Sequence, residues 1–540
     1  MKTLNMRSLL VLVFLITFMA GCSVGEKRVD QGNREGILHF GNGTEPQGVD
    51  PHVTTGIPER NIQLAIFEGL VSLNSHTLEP EPAVAERWEV SDDGRTYRFY
   101  FRENAKWSNG DPVTPEDFRW SWWRALQVKL GNPYVYMFNV IENAEAYAKG
   151  EIDDFQQVGI RVRDERTLEV TLSEPTPYFL QLLDHHSYYP VHRATIEAYG
   201  DATDRYTKWA RPGNIVTNGP FEMTEWKLNR HIRVERNPQY WDAGNVRLNG
   251  VVFYPTENVG NEERVFRAGH LHITNDIPLD KIPSYRDADD GVARVAPYLG
   301  TYFYRFNTER EPLDDSRVRR ALAMSVDLAL ITKQVMHGIV EPAYAFTPPG
   351  IYGYQPPQLF NFDPDQARKL LSEAGFPNGE GFPKLELLYN SHESHRKIAE
   401  AIQQMWRSEL NIDIELVNQE WKVYLDSVNQ SNYDIARAGW IGDYVDPNNF
   451  IDMFLTDGGN NRTGWSDPEY DRMVQRDIPR LSSRDERNAG FFAAETRLME
   501  AMPIMPIYTY SVKYLIDPSV KGMPVNVLDH YSFKSIYLEP

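Results

Sequence analysis

The alternation of apolar and polar residues on either side of position 94 gives a clear local signal. Apolar residues alternate with polar ones before and after the pair Asp93-Gly94, from Trp88 to Phe101. A period of two is typical of a half-buried strand, and Asp-Gly takes the positive φ that a tight hairpin turn requires. The pattern predicts two antiparallel strands joined near Gly94.

Two further segments carry the signals of a helix start. Thr114 is followed by Pro115 and, three positions on, by Asp117, which is the order of a hydroxyl cap, a first-turn proline and an acid. Asp363 is likewise followed by a proline, and Gly375 supplies a stop twelve residues after Asp363. A helix is predicted to begin at each site.

The period of the apolar pattern changes twice between residues 384 and 417. Apolar residues alternate from Leu385 to Tyr389, recur at helical spacing from Ile398 to Leu410, and alternate again from Ile412 to Leu416. This order predicts a parallel βαβ unit. Because strand and helix signals alternate irregularly along the chain, we expect an α/β or mixed α+β fold rather than a bundle or a sandwich.

The N-terminus has the pattern of an export signal. Lys2 and Arg7 precede an apolar run from Leu9 to Ala20, which is shorter than the roughly 20 residues of a spanning helix. Residues 1–21 are therefore predicted to be a secretory signal peptide.

Cys22, the one cysteine of the chain, comes directly after this signal. Small residues followed by cysteine resemble a bacterial lipoprotein box, which implies that Cys22 carries a lipid; an unmodified exported protein is the alternative. Residues 22–36 are polar and are expected to form a tether, so that the folded body begins near Ile37. A single cysteine also excludes intrachain disulfides and cysteine-based metal clusters.

The net charge limits the kinds of partner, and the chain length limits the number of domains. The chain has 540 residues and a formal net charge of −20, and this acidic excess disfavours nucleic acid as a partner. At about 150 residues per domain, the length allows roughly two to four domains.

The usual motifs of an exported hydrolase are missing. The sequence has no Gly-x-Ser-x-Gly elbow, no His-Glu-x-x-His zinc motif and no phosphate-binding Gly-x-x-x-x-Gly-Lys loop. His392-Glu-Ser-His395 lacks the zinc spacing, and the pair His185-His186 is interpreted as surface or core. We expect no catalytic residue, metal or cofactor, with a hydrolase of unrecognised type as the alternative.

Motifs spread over most of the chain resemble one family. They are Ser91-Asp-Asp-Gly94, Lys106-Trp-Ser-Asn-Gly-Asp-Pro112, Asn218-Gly-Pro-Phe221, Asn237-Pro-Gln-Tyr-Trp241, Pro312-Leu-Asp-Asp-Ser-Arg317 and Ala438-Gly-Trp-Ile-Gly-Asp443. In this order they resemble the peptide and nickel class of extracellular solute-binding proteins, family 5. Within that class the chain is most similar to the oligopeptide-binding receptors of ABC importers.

The resemblance implies a two-lobed periplasmic-binding-protein clamshell with a third domain and a discontinuous chain. Carried over, the first domain takes residues 37–67, 193–299 and 510–540. The second domain takes residues 68–192, and the third takes residues 300–509.

The same resemblance implies a function. The protein would capture oligopeptides in the cleft between the lobes and deliver them to an ABC permease and its ATPase. It would be exported to the periplasm or cell surface, touch the membrane only through its lipid anchor, and act as a monomer. A dipeptide or murein-peptide binder of the same class is the alternative.

The resemblance also implies a binding site. Asp443 matches the acid that pairs with the peptide ammonium, while Arg437 and His395 match positions that receive the peptide carboxylate. The remaining matches are the backbone-pairing residues Thr55, Gly56, Ile57, Gly439, Trp440 and Ile441 and the pocket residues Tyr134, Trp421, Tyr508, Tyr510 and Asn460.

The chain departs from the family pattern at four of the matched positions. Gly300 and Ile441 stand where the family relative has a cystine. Val428 stands where a basic residue helps to hold a ligand terminus, and Arg305 replaces an acid. Ligand length and charge preference therefore do not follow from the resemblance.

Overall fold

The computed structural model describes residues 26–288, 290–456, 458–481 and 483–539, with the backbone alone for residues 421 and 422. The predicted signal peptide, Cys22 and the start of the predicted tether lie outside these residues. The strands are β1 (Ile37–Gly41), β2 (Val71–Leu73), β3 (Pro80–Pro82), β4 (Ala85–Val90), β5 (Thr96–Phe101), β6 (Ile160–Asp164), β7 (Thr167–Thr171), β8 (Phe221–Lys227), β9 (His231–Arg236), β10 (Gly250–Tyr254), β11 (Ala293–Phe306), β12 (Glu341–Pro342), β13 (Leu385–Asn390), β14 (Ile414–Gln419), β15 (Ile435–Ile441), β16 (Ile504–Leu515), β17 (Val520–Lys521) and β18 (Tyr537–Leu538).

The longer helices are α1 (Arg28–Glu35), α2 (Ile57–Ile66), α3 (Pro115–Ala125), α4 (Val259–Arg267), α5 (Ser316–Met324), α6 (Pro364–Glu373), α7 (Glu393–Leu410), α8 (Trp421–Asn429) and α9 (Arg484–Ala501). Shorter helices lie at Ala144–Ala148, Phe179–Leu182, Arg193–Glu197, Ile282–Ala288, Leu328–Leu330, Asn448–Ile451 and Pro468–Arg472.

Three larger sheets organise these elements. One has the strand order β1-β10-β9-β8, a second has β4-β5-β7-β6, and a third has β12-β16-β11-β15-β13-β14. The first and third sheets contain both parallel and antiparallel pairs, whereas the second is antiparallel. The expected mixed α/β architecture is confirmed.

The predicted hairpin is present. β4 and β5 pair antiparallel with Trp88 opposite Phe99, and Gly94 in the turn has a φ of 68°. A residue with a Cβ is disfavoured at this φ, so the glycine allows the short connection.

Both predicted helix starts are also present. The Thr114 backbone N–H donates to the Asp117 carboxylate at 2.7 Å and the Thr114 hydroxyl accepts from the Asp117 N–H, which closes a capping box at the start of α3. The Asp363 carboxylate accepts from the Gln366 N–H at 3.0 Å, and Gly375 beyond α6 has a φ of 100°.

The βαβ unit forms as predicted from the change of period. β13 and β14 are parallel neighbours with Leu385 opposite Ile414, and α7 connects them. The side chains of Ile398, Ile402 and Trp406 on α7 are fully buried against the sheet.

The predicted tether is wrong for residues 28–35, which form α1. This helix has one buried apolar side chain, Val29, so its sequence looks polar throughout. The Val29 N–H donates to the Gly269 carbonyl at 3.0 Å, and Gly36 ends the helix with a φ of 69°. The folded body therefore begins before Ile37.

Two long strands connect the first and third sheets. β11 and β16 pair antiparallel along most of their length, with a register shift between Pro297 and Thr301. Beyond β16, Ile516 bridges to Ile273, which in turn bridges to Phe40 in β1. The register shift therefore separates the part of the β11–β16 pair that lies near the first sheet from the part that lies within the third sheet.

A buried ion pair joins α3 to the N-terminal segment. The Arg124 guanidinium is fully buried and donates to both Asp50 carboxylate oxygens, at 3.0 and 2.7 Å. Its Nε donates to the Ala202 carbonyl at 2.7 Å. Because a bidentate pair requires a precise geometry, these contacts fix α3 against the segments that contain Asp50 and Ala202. None of the described helices is both long and apolar enough to span a membrane.

Candidate functional site

A cavity of about 240 Å³ lies where distant stretches of the chain meet. Its walls come from the start of α2, from residues 184–189 and from the end of β15. The predicted site residues in its lining are Thr55, Gly56, Ile57, Tyr134, Trp440, Ile441 and Asp443.

Asp443 is the acidic side chain at the end of β15 in this cavity. Its carboxylate accepts a hydrogen bond from the Tyr136 hydroxyl at 3.4 Å and lies 3.7 Å from His185 Nε2. Burial raises the pKa of Asp443 to about 7, against the lowering effects of the Arg60 charge and the Tyr136 hydrogen bond. The environment therefore leaves the carboxylate without full compensation for its lost hydration.

Asn449 holds the segment that carries Trp440 and Asp443. Its side-chain Oδ1 accepts from the Asp443 N–H at 3.1 Å and from the Trp440 indole N–H at 3.1 Å. The indole also donates to the Asn449 carbonyl at 2.8 Å. Because Asn449 is buried, one residue fixes both the Trp440 indole and the Asp443 backbone.

The opposite wall is the start of α2. Gly56 caps this helix, and a Cβ there would lie 2.0 Å from the Glu59 carboxylate. The Glu59 carboxylate accepts from the Gln47 N–H at 2.7 Å, which fixes the preceding loop. Glycine is therefore required for this close approach, and the helix directs Arg60 into the cavity.

His185 and His186, interpreted from the sequence as surface or core residues, lie in the cavity wall. Burial lowers the pKa of His185 well below its usual value and that of His186 to about 4. Tyr134 packs against both rings, at centroid distances of 4.4 and 5.1 Å. With both imidazoles neutral, Asp443, Asp184 and Arg60 are the carboxyl and guanidinium groups of the lining.

The C-terminal half of β15 has a free edge. On one side it pairs with β11, and the Gly442 N–H donates to the Leu299 carbonyl at 2.6 Å. Backbone groups alternate in an antiparallel ladder, so those of Gly439 and Ile441 point away from β11. β13 pairs with β15 only at Ile435 and Ala436, and no other described strand covers the rest of that edge.

The resemblance places a cystine at Gly300 and Ile441, and these two residues are direct partners across β11 and β15. A Cβ on Gly300 would lie 2.6 Å from the Ile441 side chain. Glycine therefore makes room for isoleucine at the position of the missing bridge.

Arg437 lies at the other end of the free edge. Its Nη2 donates to the Tyr510 hydroxyl at 2.8 Å and its Nη1 contacts Asn390 Oδ1 at 3.4 Å, while its buried Nε has no hydrogen-bond partner among the described residues. The guanidinium also stands 4.8 Å from the Tyr302 ring centre. No described carboxylate pairs with it, so its charge is not neutralised locally.

His395 and Tyr508 lie beside this arginine. The His395 Nδ1 is 3.4 Å from the Tyr302 hydroxyl, and burial lowers the pKa of His395 well below its usual value. Tyr508 is buried, and its ring stacks on the Tyr302 ring with 4.7 Å between the centroids. It therefore helps to hold in place the tyrosine that contacts Arg437.

The other predicted pocket residues are more dispersed. Tyr510 lines a second cavity of about 430 Å³ and leaves its hydroxyl 2.4 Å from a Cβ on Gly439, so only glycine fits there. The Asn460 side chain forms a hydrogen bond with Tyr136. Trp421 is the first residue of α8, and its side chain lies outside what the structure describes.

Contacts between residues 134–181 and 443–448 close the cavity. The Val445 N–H donates to Gln181 Oε1 at 2.9 Å, and the Asn448 side chain donates to the Tyr178 hydroxyl at 3.1 Å. The Tyr178 and Tyr444 rings stack at 4.7 Å. Polar contacts of this kind can break without exposing a large apolar surface to water.

The sequence did not single out Arg60, Tyr136 or Asn449. Arg60 follows Ile57 by three positions, one turn along the helix, and this spacing from a predicted ligand-pairing segment is the signal that would have found it. Tyr136 lies two positions after the predicted pocket residue Tyr134, and only the tertiary fold brings it to Asp443. Among the described residues there is no cluster of three or more His, Cys, Asp or Glu side chains suited to a metal ion.

Comparison with known proteins identifies the family. The sequence profile of the bacterial extracellular solute-binding proteins, family 5 (middle part), matches residues 79–462. The chain is 36% identical over 507 residues to the periplasmic oligopeptide-binding protein OppA of Salmonella typhimurium, covering 92% of this chain and 91% of that protein.

Two solved structures have the same fold. Haemophilus influenzae OppA in complex with the peptide RPPGFSPFR is 34% identical, with a TM-score of 0.85 over 93% of this chain and 99% of the other. The Escherichia coli murein tripeptide binding protein MppA is 36% identical, with a TM-score of 0.86 over 93% and 98%. An unliganded open form of MppA gives a lower TM-score of 0.70, so the lobes here are arranged more as in the peptide complex.

Proposed function

Because the chain belongs to family 5 of the bacterial extracellular solute-binding proteins, we propose that it is the substrate-binding receptor of an ABC importer. It captures oligopeptides between its lobes and delivers them to a permease driven by an ATPase. One observation carries this function: a free strand edge with an acid at one end and an unneutralised arginine at the other matches the zwitterionic backbone of a peptide.

Asp443 is proposed to bind the peptide ammonium. The carboxylate is half-buried beside neutral histidines. A cation that enters the cavity would compensate this carboxylate for the hydration that it loses on burial. A charge-assisted contact in such a place is strong and sets the register of the ligand.

The peptide backbone is proposed to add as a strand beside β15. Gly439 and Ile441 offer their main-chain groups on the free edge, with Trp440 between them, and Thr55, Gly56 and Ile57 face them across the cavity. Main-chain pairing does not depend on ligand side chains, so many sequences are accepted.

Arg437, with His395 beside it, is proposed to receive the peptide carboxylate. The strand rise of about 3.3 Å per residue places Arg437 roughly 13 Å from Ile441. Four extended residues, at about 3.4 Å each, span about 14 Å, which is the length of this edge. The ligand would then run antiparallel to β15.

The aromatic and amide side chains around the edge are proposed to form loose pockets for ligand side chains. These are Tyr134, Trp421, Tyr508, Tyr510 and Asn460. Tyrosine and tryptophan suit this role because each combines a broad apolar face with one polar group.

Proteins of family 5 are binding receptors, and we propose that this chain likewise performs no covalent chemistry. A second candidate within the class is a murein-peptide receptor, which the 36% identity and TM-score of 0.86 to MppA favour. A dipeptide receptor would need a cation nearer to Asp443 than Arg437 is, and Arg60, which lines the same cavity as Asp443, meets that condition.

The domain division carried over from the family is also a proposal. Residues 37–67, 193–299 and 510–540 would form the first domain, 68–192 the second and 300–509 the third, with α1 added to the first. The register shift between Pro297 and Thr301 lies at the proposed border, and the Arg124–Asp50 pair ties the first two domains together.

The proposed location is the periplasm or the outer cell surface. We propose further that Cys22 is lipidated, that this anchor is the only membrane contact and that the receptor is a monomer. Mass measurement of the mature N-terminus tests the lipid directly.

Native mass spectrometry tests the proposed function. The protein is unfolded, freed of bound ligand, refolded and mixed with peptides of two to six residues. Intact peptides retained at one per chain support a receptor, whereas release of shorter products would support the hydrolase alternative. Absence of any complex would refute peptide capture.

A further inference from the structure

Arg305 is a buried cation without an ion-pair partner among the described residues. It lies on β11 with 7% of its surface exposed, and neither its Nε nor its Nη1 has a hydrogen-bond partner among the described residues. No described carboxylate is within ion-pairing distance of it. A buried charge in this state carries a large desolvation cost, which an anionic ligand would offset.

A second arginine lies beside it. Burial lowers the pKa of Arg462, and the positive charge of Arg305 lowers it further. The Arg462 side chain has no ion pair among the described residues either, although its backbone carbonyl accepts from the Tyr433 hydroxyl. Two neighbouring guanidinium groups repel each other, so the pair is costly when it is empty.

The acid that precedes β15 is already engaged elsewhere. Asp434 precedes β15, but its carboxylate is held by Arg310 at 2.9 Å and also accepts from the Glu386 N–H at 3.0 Å. No carboxylate among the described residues therefore balances the positive charge of Arg305 and Arg462.

The sheet register brings Arg305 near the proposed ligand edge. Arg305 is directly opposite Ala436 on β15, the last residue that β13 covers, and shares that face of the sheet with Ala438, which borders the free edge. A ligand strand on that edge would lie about 10 Å from β11, two strand spacings away. Arginine and glutamate side chains together span this distance.

Arg462 is close in sequence to a residue of the proposed site. It follows Asn460 by two residues, and the Asn460 side chain is bonded to Tyr136, which donates to Asp443. The loop that carries Arg462 is thus anchored at the proposed ammonium site.

We propose that Arg305 and Arg462 form an anion-binding subsite that receives the side-chain carboxylate of an acidic residue in the bound peptide. This inference rests on the proposed function and names its substrate class as peptides with an acidic side chain. Successive ligand residues point to opposite faces of the sheet, so one position of the peptide would show the preference.

Calorimetric titration with paired tetrapeptides tests the subsite. Each pair is tetra-alanine with either Glu or Gln at one position, and every position is tested in turn. At one position Glu should bind about tenfold more tightly than Gln, the effect of one charge-assisted hydrogen bond. In Arg305→Met this preference should fall to less than about twofold, while the affinity for tetra-alanine should remain within about threefold.

A matched control and a second variant make the test decisive. Arg230→Met removes an exposed arginine and should keep the preference, which separates a local effect from net charge. Arg305→Glu places a carboxylate next to Arg462, keeps the site folded and should also abolish the preference for Glu. Melting temperatures of all variants check folding.

The outcomes are distinguishable. Equal binding of Glu and Gln peptides at every position, or a preference that survives in both Arg305 variants, would overturn the subsite and leave the receptor intact. Failure of every peptide, including tetra-alanine, to bind the wild-type protein would overturn the proposed function, and the subsite with it.

Discussion

The Val445 backbone N–H donates to the side-chain Oε1 of Gln181 at 2.9 Å, although 264 residues separate them in the chain. The same glutamine donates through Nε2 to the Tyr352 hydroxyl at 2.7 Å. One side chain of residues 68–192 therefore holds two points of residues 300–509, and we expect both bonds to form only when the proposed lobes close.

Gln181→Ala should weaken peptide binding by shifting the receptor toward its open form. The loss of about 1 kcal/mol of closed-state hydrogen bonding corresponds to roughly a fivefold lower affinity. Calorimetry with tetra-alanine measures the affinity, and small-angle X-ray scattering measures the closure. The exposed Gln358→Ala is the matched control, and an unchanged affinity in Gln181→Ala would contradict the latch.

Asp443→Asn should discriminate between free and blocked peptide N-termini. The variant loses the charge partner of the ammonium, so tetra-alanine should bind about 30-fold more weakly, whereas N-acetylated tetra-alanine should change by less than about threefold. Asp153→Asn, on the exposed surface, controls for net charge. Equal losses for both peptides would remove the ammonium role.

Peptide affinity should depend on pH through Asp443. Burial raises the pKa of this carboxyl to about 7, so below pH 7 the empty site is protonated and must release a proton before it can bind an ammonium. Affinity should therefore fall by up to about tenfold per pH unit below 7, and fall again at high pH as the free α-amino group, with a pKa of about 8, loses its proton.

The acid limb of this profile should vanish in Asp443→Asn. Titrations from pH 5 to pH 9 give both limbs. A wild-type affinity that stays constant between pH 5 and pH 7 would show that Asp443 is already ionised across that range.

Glu495 should make the fold less stable as pH rises. Burial raises its pKa to about 7, although the Phe346 N–H, the Thr347 N–H and the Tyr354 hydroxyl all donate to its carboxylate. Because the folded-state pKa lies above the ordinary value, the stabilisation is fully present below about pH 4.5 and is lost as pH passes through 7.

Glu495→Gln keeps the shape of the carboxyl and removes its titration. From pH 4.5 to pH 8, the wild type should lose on the order of 3 kcal/mol of unfolding free energy relative to the variant. Urea unfolding at several pH values measures it, with the exposed Glu500→Gln on the same helix as control. A pH-independent difference would contradict the raised pKa.

Local sequence signals predicted the local structure well. The hairpin at Gly94 and the capping box at Thr114 depend on neighbouring residues alone, and the βαβ unit depends on apolar period, so the pattern was sufficient for each. α1 was missed because it buries one apolar side chain, Val29, and its contacts come from residues around Gly269.

Residues of the site could be predicted only where they belong to a motif of the family. The family pattern led to Asp443 and Arg437, which lie at the two ends of one free strand edge. Arg60 and Tyr136 become visible only after folding, because residues far apart in the chain form the cavity wall. The Arg305 pair could not be judged from sequence, since nothing there reveals which arginines lack an acidic partner.

A crystal structure of the receptor with tetra-alanine tests the central claim most directly. The account predicts a peptide antiparallel to β15, with its ammonium within 4 Å of the Asp443 carboxylate, its backbone paired with Gly439 and Ile441, and its carboxylate directed toward Arg437. A peptide bound in the opposite direction, or outside this cleft, would contradict it.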